Sequence, residues 1–328
     1  MSSPRRTRQQ RKQLLASALA VSVSIEPEIA APSPLEPLAP PSQGIVFLPD
    51  RPPAALTKLR RADHKLLLRK QELLQKYEIA TPRDFQKNSS RTVSVTLVFA
   101  QEEAGTAVCI RPDGLLLTCS HCVAETAAEL DRDKTHWLLF ASGQIVSAKC
   151  IAWDPQRDLA LLQITAAAVS HLQKPPRDII DLTLDDDNDH ERVKPQLQQQ
   201  APDFKFPAVE IADRPPPVNT KLVCIGHPGS EDLEAGGPRV KTNYDVLHLS
   251  TGAYRGTAEG HDDLQDNAEI GALQHDCWTY WGHSGAPLLE RKSGRLVGLH
   301  SSWDDETGMR RGIPLEAIVE FLDTNGVF

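Results

Sequence analysis

Three absences narrow what this sequence can encode. No stretch approaches the run of about 18 consecutive apolar residues that crosses a bilayer. We therefore expect a soluble chain with no membrane span. The six cysteines include only one C-x-x-C pair, in "CSHC", so the second half of a zinc site is missing, and we expect neither a metal nor a cofactor. Proline and glycine are absent from "ALTKLRRADHKLLLRKQELLQKYEI", which predicts an uninterrupted helix.

The chain has 328 residues, of which 40% are hydrophobic, enough for one large or two average domains. The formal net charge is -8, yet residues 1–90 hold 15 Lys and Arg against 8 Asp and Glu, so a basic head precedes an acidic body. The basic run before an apolar segment leaves a secretory signal and an organelle presequence open. We favour a disordered head that serves as a nuclear address. We expect nucleic-acid binding, if any, only through this head.

The N-terminal quarter divides into two parts. Residues 1–55 combine the basic head with a linker rich in Pro, Ala and Ser, and we expect this part to be disordered. Residues 56–89 are predicted as an amphipathic helix, because Leu59, Leu66 and Leu73 are spaced seven apart. Packing against the following domain is the favoured role of this helix, and oligomerisation or binding to an acidic surface are its alternatives.

From about residue 90 the sequence consists of short β-rich runs separated by turn signals such as "RPDG" and "RKSG". This texture predicts an all-β fold, either a sandwich or a pair of barrels. A helix is expected at the end, because "PLEAIVEFL" has helical spacing and is followed by "NG". The runs that predict strands are "TVSVTLVFA", "GTAVCI", "GLLLTCSHCV", "HWLLFA", "SAKCIAW", "LALLQI", "KLVCIGHP", "VLHLSTGAY", "APLLE" and "LVGLHSSW".

Three residues of these runs suggest nucleophilic catalysis. Ser284 lies between small residues in "YWGHSGAPLLE", His121 follows an apolar strand in "DGLLLTCSHCVAE", and Asp158 precedes one in "WDPQRDLALLQI". A serine hydroxyl needs a base to attack an acyl carbon, and the imidazole needs a carboxylate to fix its tautomer and stabilise its charge. The N–H groups of Gly282 and Ser284 are the expected oxyanion hole.

The motifs "GTxV", "LLTxxHxV", "DxxxDLALL", "VCIGHPG" and "GHSGAPLL" followed by "LVGLHS" occur in this order. Together they resemble the chymotrypsin/trypsin-like serine protease family (peptidase family S1), nearest to its HtrA/Deg-type branch but without a PDZ domain. The resemblance implies a trypsin-like double β-barrel over residues 90–328, with a C-terminal helix and an N-terminal helical and disordered extension. It implies a serine endopeptidase acting on protein or peptide substrates, with catalytic residues His121, Asp158 and Ser284. Ser301 falls in the strand that would line the substrate cleft.

The sequence departs from this family at three positions around the serine. His283 replaces the aspartate with which secreted relatives capture a new N-terminus, so we expect no activation by that ion pair. Ala286 replaces the second glycine of GxSGGP, which is tolerable unless its φ must be positive. Trp278 stands where the floor of the substrate pocket is normally read, which favours small or apolar over Arg or Lys side chains. A catalytically inactive domain that binds proteins is the alternative function.

The cysteine positions bear on the compartment. Secreted relatives join the cysteine after the catalytic histidine to one before the "GS" strand. Here Cys122 has the first position, but Glu103 and Ala104 stand near the second. Most cysteines fall inside predicted strands, where a reduced thiol behaves as a small apolar group. We therefore expect an intracellular protein of the nucleus or cytoplasm, with a mitochondrial or secreted location as the alternative.

An insertion at residues 167–205 interrupts the family pattern. It contains "RDIIDLTLDDDNDH", which resembles a SUMO-interacting motif with an acidic tail. Such a segment binds by adding a strand to the modifier's sheet edge, with the aspartates near basic residues. SUMO or SUMO-modified proteins are therefore expected partners in the binding-module alternative, and a solvated acidic loop is the other interpretation. The residues of the expected contact are Ile179, Ile180, Asp181, Leu182, Thr183 and Leu184.

Overall fold

A computed structural model describes residues 46–48, 59–76, 93–101, 105–168, 205–232, 235 and 240–328. It contains two closed β-barrels and two α-helices, α1 (Arg61–Lys76) and α2 (Leu315–Thr324). No helix in these ranges is long and apolar enough to cross a membrane. Of the sandwich and the pair of barrels that the strand pattern left open, the chain forms the pair of barrels.

The first barrel is built from six antiparallel strands that pair in the order β7-β4-β3-β2-β5-β6, and β6 pairs with β7 to close the ring. Closure leaves none of these six strands with a free edge. The strands are β2 (Thr96–Phe99), β3 (Thr106–Arg111), β4 (Leu115–Thr118), β5 (His136–Phe140), β6 (Ile145–Asp154) and β7 (Leu159–Ala168).

The second barrel also has six antiparallel strands, in the closed order β10-β13-β12-β11-β8-β9. Helix α2 follows its last strand directly and packs against β12 and β13. The strands are β8 (Lys221–Gly226), β9 (His248–Thr257), β10 (Leu273–His275), β11 (Pro287–Glu290), β12 (Leu296–Trp303) and β13 (Arg310–Pro314).

A further strand, β1 (Val46–Leu48), adds parallel to β7 outside the first ring. It lies within the segment predicted as a disordered linker. Its apolar Val-Phe-Leu sequence suits a strand, and it pairs with Ala166, Ala167 and Ala168. The rest of residues 1–55 and most of the insertion at 167–205 lie outside the described ranges.

One apolar core connects both barrels with both helices. The same buried cluster contains Leu67 of α1, Leu139 of the first barrel, Leu299 of the second and Phe321 of α2. Burial of apolar surface therefore stabilises the position of one barrel on the other, and not only each barrel by itself.

Local turn chemistry agrees with the sequence prediction at three places. The "RPDG" turn joins β3 to β4, and the N–H of Gly114 donates to the carbonyl of Arg111 at 3.0 Å. The "RKSG" turn joins β11 to β12, with Gly294 at φ 77°. The terminal helix is confirmed, since α2 begins directly after Pro314 and is followed by Gly326 at φ 65°.

The leucines whose spacing predicted helix α1 are not its most buried residues. Its buried residues are Leu67, Lys70 and Leu74, whereas Leu73 is 44% exposed. The spacing analysis counted only apolar residues. A lysine completes the buried stripe, because the ammonium of Lys70 donates to the carbonyl of Phe99 at 2.7 Å. The expected role of the helix as a cover for the following domain is in agreement with this packing.

The Lys70→Ala substitution tests this contact. It removes a charge-assisted hydrogen bond and the packed stem of the side chain, so we expect the free energy of unfolding to fall by about 2 kcal/mol or more. Lys65→Ala, at an exposed position of the same helix, is the matched control and should change it by less than about 0.5 kcal/mol. Urea denaturation measures both, and equal values for the two variants would contradict the structural role of Lys70.

Candidate active site

His121 and Asp158 form a direct pair on the first barrel. The imidazole Nδ1 lies 2.8 Å from one carboxylate oxygen of Asp158 and 3.0 Å from the other. The carboxylate is fully buried, whereas the His121 side chain is 20% exposed. Because an ionised carboxylate only accepts hydrogen bonds, Nδ1 carries the proton and Nε2 is the basic nitrogen of the neutral ring.

Local backbone structure brings these two residues together. His121 lies in a short 3-10 turn, Ser120–Cys122, directly after β4. The Ser120 N–H donates to the Asp158 carbonyl at 3.1 Å, and its hydroxyl donates to the Asp158 carboxylate at 2.9 Å. Asp158 has a left-handed φ of 54°, a conformation that aspartate tolerates better than most residues. It ends the turn between β6 and β7.

Ser284 comes from the second barrel, in the loop before β11. Its hydroxyl donates to the carbonyl of Ser301 at 3.2 Å. The hydroxyl of the same Ser301 donates to the second carboxylate oxygen of Asp158 at 2.7 Å. The structure therefore brings the three predicted catalytic residues into one network that crosses the barrel interface, with the predicted cleft residue Ser301 as the link.

The loop before Ser284 is a type II β-turn over residues 280–283. The N–H of His283 donates to the carbonyl of Tyr280 at 3.0 Å, and Gly282 has φ 101°. Trp281 is not among the residues with positive φ, which excludes the mirror-image turns. The N–H groups of Gly282 and Ser284 have no hydrogen-bond acceptor within the described part of the chain. They are available as the pair of donors that the sequence predicted.

Two carbonyl groups of this turn are held from other segments. The N–H of Gly229 donates to the Trp281 carbonyl at 2.6 Å. The Thr106 hydroxyl donates to the Gly282 carbonyl at 3.2 Å and accepts the N–H of His227 at 3.0 Å. The C=O and N–H of a trans peptide point in opposite directions, so the bond to Trp281 directs the Gly282 N–H away from Gly229. The orientation of the turn is thus fixed before any ligand arrives.

The residues after Ser284 explain the small side chains of the motif. Gly285 has φ 81°, and a Cβ there would lie 2.1 Å from the carbonyl oxygen of Thr106. Glycine is therefore required at this position. Ala286 is buried and is not among the residues with positive φ, so its methyl group is accommodated without backbone strain.

Trp278 belongs to an aromatic cluster that packs against the turn. Its ring centroid lies 5.1 Å from that of Tyr244, 4.7 Å from His248 and 5.5 Å from His283. Tyr280 completes the cluster at 5.3 Å from Tyr244. The sequence predicted Trp278 as a cleft residue. The structure packs the Trp278 ring against the ring of His283. A contact between Trp278 and a substrate stays a prediction.

Three buried histidines lie behind the site. His275 and His300 contact each other through Nε2 and Nδ1 at 3.0 Å, and the ring of His300 lies 6.3 Å from that of His283. Burial is the main cause that lowers the pKa of His275 and of His283 to about 3. Burial also lowers the pKa of His300 well below its usual range. All three rings are therefore neutral at physiological pH.

The site contains one group of side chains with the donor atoms that a metal ion could use. Among the described residues, one group of three potential ligands lies close together, namely Cys119, His121 and Asp158. Burial, followed by the charge of Asp158, raises the pKa of the Cys119 thiol well above its ordinary value. The Nδ1 of His121 and the carboxylate of Asp158 bond to each other, so two of the three donors are already paired within the site. The six cysteines are all free thiols.

Some predicted residues lie outside the described ranges. These are the segment of the expected SUMO contact at 179–184, together with Glu103 and Ala104 near the expected disulfide position. The SUMO contact therefore stays a prediction.

Three residues of the site were not predicted from the sequence. Ser120 adjoins the histidine, and a hydroxyl beside a catalytic histidine was a usable signal. Thr106 and Gly229 act on the turn of residues 280–283 across more than 50 positions of sequence, and no local pattern indicates such contacts.

The buried histidines predict how stability depends on pH. Their folded pKa lies below the ordinary 6.5, so the unfolded chain binds more protons between about pH 3 and 6.5. Stability is complete above this window and falls as pH decreases through it, by up to about 1.4 kcal/mol per pH unit for each group. The urea concentration at half-unfolding should therefore be lower at about pH 5.5 than at about pH 7.5. His275→Phe should reduce that difference, and an unchanged difference would exclude His275 as a source.

Comparison with known proteins gives a family. A profile of the trypsin-like peptidase domain matches residues 105–299, which is more than half of the chain. Among solved structures, the chain resembles a serine endoprotease from Yersinia pestis with a TM-score of 0.45 and 18% sequence identity. That alignment covers 75% of this chain and 68% of the other. No curated protein matches the chain. On the match of its domain, the chain belongs to the family of trypsin-like peptidases.

Proposed function

We propose that this chain is a serine endopeptidase that hydrolyses peptide bonds of protein substrates through an acyl-enzyme on Ser284. In the first step the Ser284 hydroxyl attacks the substrate carbonyl while Nε2 of His121 takes its proton. Asp158 keeps the imidazole oriented and stabilises the imidazolium that forms. The N–H groups of Gly282 and Ser284 donate to the negative oxygen of the tetrahedral intermediate.

The intermediate collapses when His121 gives its proton to the leaving amine, which leaves an ester on Ser284. A water molecule then attacks this ester, His121 takes its proton, and the carboxylic acid is released as Ser284 regains its proton. Each group returns to its starting state, so the residues named here complete the cycle.

One observation carries the proposal. The buried Asp158 carboxylate accepts from His121 on the first barrel and from Ser301 on the second, and Ser301 also holds the Ser284 hydroxyl. A buried carboxylate is costly unless it is hydrogen-bonded, and here its donors are the imidazole that would act as base and the residue that holds the serine hydroxyl. The arrangement supports the roles of His121 as general base, Asp158 as the group that orients it, and Ser284 as nucleophile.

Labelling of the purified chain of residues 1–328 by a fluorophosphonate probe tests the proposal. We expect Ser284→Ala to abolish labelling, because the reacting oxygen is lost, and His121→Ala to slow it at least a thousandfold, because the base is lost. Both variants should lose peptide hydrolysis to the same extent as they lose labelling. Ser293→Ala, in the exposed turn before β12, is the control and should react like the parent. A folded parent that is not labelled would contradict the proposal.

The turn of residues 280–283, which carries the proposed oxyanion donor Gly282, is called the oxyanion turn. The Thr106→Val substitution tests whether the hydrogen bond from Thr106 stabilises it. It removes the hydroxyl that bonds to Gly282 while keeping the shape of the side chain. We expect kcat for a peptide substrate to fall about tenfold or more while KM changes little, since the turn contributes most in the transition state. Thr106→Ser keeps the hydroxyl and should retain most of kcat. Equal kcat in the valine and serine variants would show that this hydrogen bond does not support the turn.

A further inference from the structure

The outer end of β12 offers an open strand edge next to Ser284. Residues 296–299 pair with β11 on one side, but Ser302 and Trp303 pair only with β13 among the described strands. Ser301 lies at the irregularity between His300 and Ser302, where the register with β13 shifts. The open edge lies on the side where Gly285 donates to the His300 carbonyl. An extended peptide can add to such an edge. In a peptide bound in this way, the side chain that precedes the reacting carbonyl would lie between Ser284 and Trp303.

Arg310 of β13 lies directly opposite Trp303, at the outer end of β12. It pairs with Trp303 on β12 and with His275 on β10. Residues paired in this way point their side chains to the same face of a sheet. The Arg310 side chain therefore leaves the sheet on the same face as the His275 side chain. Arg310 is half-buried, and Trp303, 42% exposed, stands at its outer side.

The charge of Arg310 has no counter-charge within the described residues. Its guanidinium donates to the carbonyl of Gly308 at 2.9 Å, and no carboxylate pairs with it. Its neighbour Arg311 is different, because it pairs with Asp304 at 3.1 Å. The His275 ring cannot compensate the charge either, since it is neutral. A half-buried cation of this kind gains from an anionic ligand.

The positive charge of Arg310 affects the pKa of the three buried histidines. After burial, the charge of Arg310 is the next cause that lowers the pKa of His275, and it acts in the same direction on His283 and His300. His283 directly precedes Ser284, so the charge of Arg310 acts on a side chain of the loop that carries the serine.

We propose that Arg310 determines specificity by pairing with a carboxylate of the substrate, so that the chain cleaves after Asp or Glu. This inference rests on the proposed function and names the substrate class of the same site. It replaces the preference for small or apolar side chains that the position of Trp278 suggested, because the Trp278 ring packs towards His283 and the Arg310 charge remains uncompensated.

The first experiment measures kcat/KM of the full chain on matched peptides that differ only in the residue before the cleaved bond. Asp and Glu should exceed Asn and Gln by about ten- to a hundredfold, the usual range for a hydrogen bond to a charged group. Arg310→Gln should remove this difference while leaving cleavage after Leu within about threefold. Arg310→Glu should reverse it in favour of Lys. Arg214→Gln, at an exposed position, changes the net charge equally and should leave the preference unchanged.

Equal cleavage after Asp and Asn, or a loss in Arg310→Gln that is the same for Asp and Leu, would overturn the inference while the proposed function stands. A second measurement separates the two ideas. Binding of amidated peptides with a central Asp or Asn to the Ser284→Ala chain requires no catalysis. Tighter binding of the Asp peptide that Arg310→Gln abolishes would support the inference even where the parent cleaves nothing, and equal binding would reject it.

Discussion

The buried carboxylate of Asp158 is the group on which the rest of the candidate site depends. It accepts hydrogen bonds from Ser120 and from both the ring and the backbone of His121 on its own barrel, and from Ser301 on the other. Left without these donors, an ionised carboxylate at full burial would be strongly destabilising. The barrels therefore keep a relative position in which Ser301, and with it Ser284, stays beside His121. The same bonds that satisfy a charge also set the geometry for chemistry.

The oxyanion turn is braced by the loop that follows β8. Gly229 holds the Trp281 carbonyl, the Tyr280 hydroxyl donates to Asp232 at 2.7 Å, and Thr242 donates to the Gly229 carbonyl at 2.8 Å. Thr106 acts on the same turn from the first barrel. A donor pair that is oriented in advance needs no reorganisation when negative charge develops on the substrate. The proposed chemistry therefore requires that these contacts keep the turn in one orientation.

Local signals in the sequence were sufficient for the strands, the turns and the terminal helix, whereas the double barrel was predicted from the resemblance to a known family. "RPDG" and "RKSG" have glycine where φ is positive, and the apolar runs form the strands. The order of the motifs also indicated His121, Asp158 and Ser284. The burial of Lys70 in α1 was not predicted, because it depends on a contact with Phe99, which lies 29 positions away. Such contacts depend on how distant segments meet, and neither residue type nor spacing encodes them locally.

His283 shows how the turn is stabilised without an ion pair at this position. An aspartate here would carry a buried charge that needs a cation. The imidazole is neutral, because burial lowers its pKa to about 3, and its Nδ1 lies 3.1 Å from the N–H and 3.0 Å from the carbonyl of Tyr280. Its ring also packs edge to face on Trp278. A new α-ammonium group brought to His283 would find no charge to pair with. The turn is therefore held by hydrogen bonds and aromatic packing, and its order depends on the folding of the barrel itself.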